Sequence, residues 1–189
     1  MQSLIASIRL VVATMLICVV GHILAILGVA QLVPDTAQGS LITSADGKVV
    51  GSRLIAQKFE QPKYFWPRPS AAGKNGYDAT SAAGSNKSPT SEDLRKRAEA
   101  LVKRYGATPE NPLPAELAAA SGGGLDPHIS ERAALYQAKR VAEARGLTVS
   151  QVEAIIRERL FSPGLVFTPD RLVNVLELNL ALDEIGAKQ

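Results

Sequence analysis

Cysteine is nearly missing from this chain: Cys18 stands alone. No intrachain disulfide can form, so any part of the protein lying in an oxidising compartment must be held by packing alone. Histidine is almost as scarce. His22 and His128 are the only two, too few for the three or four ligands of a zinc site. Net charge is small as well, with 21 Lys and Arg against 18 Asp and Glu. No basic run exceeds Arg95-Lys96-Arg97, and on a helix such a run forms a solvated face rather than a nucleic-acid site. The charges are nonetheless uneven: residues 48–105 carry 12 basic and 5 acidic side chains, and residues 106–189 carry 8 and 11. The basic half could face anionic lipid heads, although a merely solvated surface is the plainer explanation. No internal repeat is visible.

Charge is missing altogether from one stretch, Leu10 to Val33, which runs for 24 residues. As a helix at 1.5 Å per residue it reaches roughly 36 Å, enough for a hydrocarbon core of about 30 Å with some tilt. A cleaved secretory signal has a shorter apolar region and a small-x-small site behind it. Ala30-Gln31-Leu32 offers no such site, so the stretch reads as a retained transmembrane anchor closed by Pro34. Arg9 and the amino terminus precede it and Asp35 follows it. The positive-inside rule therefore expects residues 1–9 in the cytoplasm, a span over 10–33, and one soluble extracytoplasmic domain over 34–189. Within the span, His22 is ionisable, and Gly21 and Gly28 are small enough to admit a partner helix. These three are the candidate transmembrane contacts.

Beyond the anchor the patterns predict an α+β domain of several helices and a few short strands. Asp46-Gly47 between Gly39–Thr43 and Lys48–Val50 signals a hairpin. Gly51 to Phe59 is ambiguous between strand and helix. Tyr64-Phe65-Trp66-Pro67-Arg68-Pro69-Ser70 concentrates aromatics and is kept extended by its prolines. Tyr64, Phe65, Trp66 and Arg68 are of the types enriched at binding hot spots, so the segment is a candidate for partner docking; equally, its aromatics could roof the domain's core. Ala71 to Pro89 reads as a long loop. Thr90 is expected to cap a helix ending at Gly106, Ser130 one ending at Gly146, and Thr148 with Gln151 forms a capping box for a third. A short helix is expected over Ala115–Ala120. Thr168-Pro169-Asp170 looks like the start of a last helix through Leu172 to Ile185. The alternation of Leu176, Leu178, Leu180 and Leu182 keeps a buried strand open there.

Chemistry is thinly signalled. Asp126 and His128 could serve a membrane-tethered hydrolase as acid and base. A triad, however, needs the histidine held between acid and nucleophile, and residues joined through Pro127 are awkwardly placed for that. The plainer reading is a turn in which Asp126 accepts backbone amides and His128 packs. Gly122-Gly123-Gly124 could cradle phosphate, but no Walker lysine accompanies it.

Several blocks together carry a resemblance. They are the N-terminal anchor, Tyr64-Phe65-Trp66-Pro67-Arg68-Pro69-Ser70-Ala71, Tyr77-Asp78-Ala79, Gly84-Ser85-Asn86, the stretch from Ser121 through Leu125-Asp126-Pro127-His128-Ile129-Ser130, Arg140-Val141-Ala142, and Val173 to Asp183. In this order they resemble the KdpC family, the C subunits of the bacterial potassium-importing Kdp ATPase. Pro67 stands where the family commonly has serine, and Ala82-Ala83-Gly84 replaces its usual Ser-Gly-Gly. The resemblance implies a single-pass inner-membrane subunit with no active site, metal or cofactor of its own. Its implied partners are a channel-like potassium-conducting subunit, an ATP-hydrolysing P-type subunit and a small single-helix subunit. It implies assembly or stabilisation of that complex, and a catalytic-chaperone role raising the ATP affinity of the hydrolysing subunit. Nucleotide contact would then fall at Ser121, Gly122, Gly123 or Gln137. An extracytoplasmic domain would not meet cytoplasmic ATP, so the topology read from Arg9 and Asp35 opposes that contact.

Overall fold

A computed structural model describes residues 1–44, 46–164 and 170–186. The chain divides into two compact units, Met1–Ser52 and Arg53–Gln189.

The first unit is dominated by one continuous helix, Gln2–Ala30, whose most apolar stretch has a mean hydropathy of 2.7 and is wholly unburied. It consists of α1 (Gln2–Met15), a π-helical segment (Leu16–Gly21) and α2 (His22–Ala30). The helix starts before the uncharged run does. Ser7 and Thr14 fit within it by bonding their hydroxyls back to the carbonyls of Ser3 and Leu10, so neither leaves a bare polar group on an apolar helix. Pro34 opens the short helix α3 (Pro34–Ala37) at its first position, with Asp35 in the same turn. The expected hairpin follows as β1 (Leu41–Thr43) paired antiparallel with β2 (Val49–Ser52). Gly47 takes φ 76°, and Ser44 Oγ donates to Asp46 at 2.5 Å, fixing the turn.

In the second unit the helices are α4 (Glu92–Tyr105), α5 (Ala115–Ala118), α6 (Glu131–Arg145), α7 (Val149–Glu158) and α8 (Val175–Gly186). Helix α6 buries Ala133, Ala134, Gln137, Ala138, Val141 and Ala142, and this run of small side chains lets neighbouring elements approach closely. Val152 and Ile156 of α7 and Leu178 and Leu182 of α8 join Phe65, Leu117, Ile129 and Val173 in one core. Strands β3 (His128–Ser130) and β4 (Leu172–Asn174) pair antiparallel, Ile129 opposite Val173. The outward amides of β3 are taken by carboxylates: Asp126 accepts from His128 N at 3.0 Å and Glu116 from Ser130 N at 3.1 Å. A strand edge so occupied has no free donors for another chain.

Local capping signals hold well. Ser130 accepts from Ala133 N, Thr148 and Gln151 form a reciprocal capping box, and Gly106 and Gly146 end their helices at φ 64° and 67°. Other expectations need correction. Helix α4 starts one residue later than Thr90 would cap, with Ser91 at the N-cap and no side-chain bond there; the Thr90 hydroxyl is instead paired with Ser88. After Ser52 the ambiguous stretch to Phe59 is neither helix nor strand, and α5 stops at Ala118. The proposed start at Thr168-Pro169 lies outside the described residues. The run from Leu172 proves to be both alternatives in succession, β4 and then α8. Asn174 makes the switch: its Oδ1 accepts from Leu176 N and Glu177 N at 3.1 and 3.2 Å, capping α8, while its Nδ2 donates to Arg53 O at 2.8 Å. Asn174→Ala removes the cap and leaves that carbonyl short of a donor. It is expected to cost about 1–2 kcal/mol, read as a lower urea midpoint with an unchanged m-value.

Candidate functional site

The aromatic segment is the point to which most of the buried polar chemistry converges. Its prolines hold it extended, and in extended chain the amide and carbonyl of one residue point to one side and those of the next to the other. Phe65 and Trp66 are therefore addressed from opposite sides by two different helices. On one side Asn179 of α8 accepts from Phe65 N at 2.8 Å and donates to Phe65 O at 3.0 Å. On the other, Gln137 of α6 accepts from Trp66 N at 2.9 Å and donates to Trp66 O at 3.1 Å. Each carboxamide stands in for one residue of a neighbouring strand. Both are buried, as are the Phe65 and Trp66 side chains.

Two arginines of α6 secure the residues just before. Arg140 Nη1 donates to the carbonyls of Pro62 and Tyr64 at 2.5 and 3.0 Å, and its Nη2 to Gln137 Oε1 at 2.7 Å. Arg145 Nε donates to Lys63 O at 2.7 Å, and its Nη2 meets Asp183 at 2.7 Å, where Tyr64 OH also donates at 3.1 Å. Burial lowers the Arg140 guanidinium to about 10, still well above neutral pH, so it stays a cation.

The Asp126–His128 pair belongs to the following turn. Asp126 Oδ2 receives Arg68 Nη1 at 3.0 Å and its Oδ1 receives the His128 amide. Partial burial pushes this carboxyl up, but bonds from His128 and the Arg68 charge outweigh it and hold it below the ordinary aspartate range. His128 Nδ1 lies 3.5 Å from Asp126, and its ring meets Phe161 edge-on at 5.1 Å. That is the turn geometry, with the acid fixed by an arginine and a backbone amide and the imidazole packed on an aromatic ring. Tyr77 closes the same region by donating to Arg68 O at 2.9 Å, and burial raises its phenol to about 12. Tyr77 is thus a neutral donor.

The glycine-rich stretch is packed rather than open along part of its length. Gly124 has φ 73°, and a Cβ there would lie 2.7 Å from Ala83 O and 2.8 Å from Ala72 N; one at Gly84 would lie 2.7 Å from Gly122 O. The 72–84 loop therefore occupies one side of it. Ser121 is buried and donates its amide to Pro69 O at 3.1 Å, whereas Gly122 and Gly123 have open space beside them. Gln137, grouped with these residues as a nucleotide contact, has its amide committed to Trp66. In the first unit, Gly21, His22 and Gly28 stand on an exposed helix, with nothing within 4 Å of a Cβ at Gly28. Of the docking candidates, Phe65 and Trp66 present almost no surface, while Tyr64 and Arg68 are half-buried. The sequence by itself assigns no role to Asn179, Arg140, Arg145 or Asp183. A lone asparagine between Leu178 and Leu180 was the available signal.

The sequence matches the family model described as "KdpC: K+-transporting ATPase, c chain" over residues 4–184. The chain belongs to the KdpC family. It is 67% identical over 186 residues to the potassium-transporting ATPase KdpC subunit of Parvibaculum lavamentivorans, covering 98% of both chains. It is 48% identical over 158 residues to that of Citrifermentans bemidjiense, covering 82% of this chain and 83% of the relative. With the Myxococcus xanthus KdpC subunit it shares 43% identity over 186 residues, covering 96% and 88%. The KdpC match takes in all but the first two residues of the apolar helix, the aromatic segment, both carboxamides and both arginines.

Replacing Gln137 by Met keeps the side chain's length and removes its polar groups. Trp66 N–H and C=O are then buried without partners, at roughly 1–3 kcal/mol each. Thermal unfolding should show a drop in Tm of roughly 2–4 °C per kcal/mol. An unchanged Tm would mean that the contact contributes nothing.

Proposed function

We propose that this chain is a non-catalytic accessory subunit of a potassium-transporting ATPase complex, anchored in the bacterial inner membrane by the uncharged run Leu10 to Val33. Family membership across residues 4–184 carries the reading. The amino terminus lies in the cytoplasm and the domain outside it, supported by Arg9 before the uncharged run and Asp35 after it. Its partners are the potassium-conducting channel-like subunit, the ATP-hydrolysing P-type subunit and the small single-helix subunit, with Gly21, His22 and Gly28 facing them in the membrane. The use of Asp126 and His128 in a turn supports the non-catalytic assignment over a hydrolase. The subunit assembles and stabilises the complex, and any rise it produces in ATP affinity is transmitted across the membrane. It needs no nucleotide at Ser121, Gly122, Gly123 or Gln137, and takes no cofactor of its own.

Two measurements test this. A tagged chain purified from native membranes should bring the potassium-transporting ATPase subunits with it; their absence sinks the assignment. In a Cys18→Ser background, Ser44→Cys should react with a membrane-impermeant thiol reagent in cells with a permeabilised outer barrier, and Ser3→Cys should not. Labelling at Ser3→Cys alone would reverse the orientation and reopen direct contact with ATP.

A further inference from the structure

Trp66 is flanked by two guanidiniums. The Arg140 carbon Cζ lies 3.7 Å from the centroid of its ring and the Arg104 Cζ 3.9 Å. Both guanidiniums are within stacking distance of the indole. Tyr105 meets the ring edge-on at 5.1 Å and is itself flanked by Tyr136 at 6.2 Å.

The two arginines are used differently. Arg140 gives its donors to Pro62, Tyr64 and Gln137. Arg104 is exposed, and among the described residues it makes no hydrogen bond and no ion pair. Its fork of N–H donors is held in place by stacking and left unspent. Glu60, a carboxylate that feels its charge, is itself bonded to Lys58 at 2.8 Å. Lys103 and Lys139, each preceding one of the stacked arginines, also have no ion pair among the described residues. The Trp66 stack thus draws together positive charge from α4 and α6 and leaves it without a bonded anion.

We infer that Arg104, displayed on Trp66, is a docking point for an aspartate or glutamate side chain of a partner protein. A planar guanidinium with a free fork matches one carboxylate in bidentate fashion, and stacking has already fixed its orientation, so little rotamer freedom is lost on binding. The surround of Tyr105, Tyr136 and Trp66 has the aromatic and arginine content typical of protein interfaces. An anionic membrane surface is the poorer match, because lipid recognition takes clusters of four to eight basic residues. On α4 the basic residues are interspersed with Glu92, Asp93 and Glu99, and Arg95 is tied to Glu92 and Glu99.

This inference rests on the proposed membership of a complex, and its test separates the two. The tagged full-length chain is purified from native membranes as wild type, Arg104→Met and Arg104→Glu, with Tm measured on each. Arg104→Met keeps an apolar stem over Trp66. Wild type should recover the ATPase subunits, Arg104→Met several-fold less, and Arg104→Glu at least tenfold less, with Tm shifted by no more than a few degrees. Raising NaCl from about 0.1 M to about 1 M, which contracts the Debye length from ~10 to ~3 Å, should weaken wild-type recovery and leave Arg104→Met little changed. Equal recovery by all three overturns the docking point alone. Failure of wild type to recover the subunits overturns the complex and the docking point together. Normal recovery by Arg104→Glu, with loss of its binding to vesicles containing phosphatidylglycerol, would assign the arginine to lipid and overturn the inference.

Discussion

The second unit depends on a pair of buried carboxamides. Asn179 and Gln137 approach consecutive residues of an extended segment from opposite sides and satisfy both backbone groups of each. A buried peptide group left unpaired is costly, so a segment with prolines, which has few ways to enter regular structure, enters a core only if side chains take the place of a neighbouring strand. Here α6 and α8 supply them. Arg140 and Arg145 then collect the carbonyls of Pro62, Lys63 and Tyr64. The consequence is that Phe65 and Trp66 can be core residues while lying in a segment that is neither helix nor sheet.

The same logic recurs wherever irregular chain is buried. Carboxylates of Glu116 and Asp126 finish the outer edge of β3. Ser70 Oγ accepts from the amides of Ala72 and Tyr77 at 3.1 and 2.7 Å, folding the start of the long loop back on itself. Gly84 and Gly124 lie where a Cβ would strike backbone, so the glycine-rich stretch and the 72–84 loop pack against each other. With no disulfide available, such side-chain-to-backbone bonds take over the role of cross-links in a domain that has little sheet.

Local chemistry was legible in the sequence, and long-range chemistry was not. Ser130, Thr148 with Gln151, Gly106, Gly146 and the Asp46-Gly47 turn act through residues a few positions away, and each is found where its residue type says. Asn174 acts locally too, yet the apolar run around it reads equally as strand or helix, because β4 hands over directly to α8. Thr90 failed as a cap because its hydroxyl found Ser88. Gln137 enters the sequence reading only through the family resemblance, as a nucleotide contact that the topology opposes, and nothing local points to the backbone of Trp66, 71 positions away, as its partner. The aromatic segment offered two readings from composition alone. Burial of Phe65 and Trp66 is decided by the two carboxamides, and no local pattern announces them. The family, by contrast, was evident from specific blocks, since a resemblance does not require knowing what each residue touches.

Hydrogen exchange at the backbone amides of Phe65 and Trp66, measured in the full chain in detergent, tests the central role of the clamp most directly. Both amides are bonded only to side chains, so their protection reports whether those side chains hold. If the clamp anchors the domain, the two amides exchange only through global unfolding, as slowly as the core amides of α6. Exchange as fast as that of the exposed turn residues Lys74 and Asn75 would show the segment opening independently of the core, and would contradict the account.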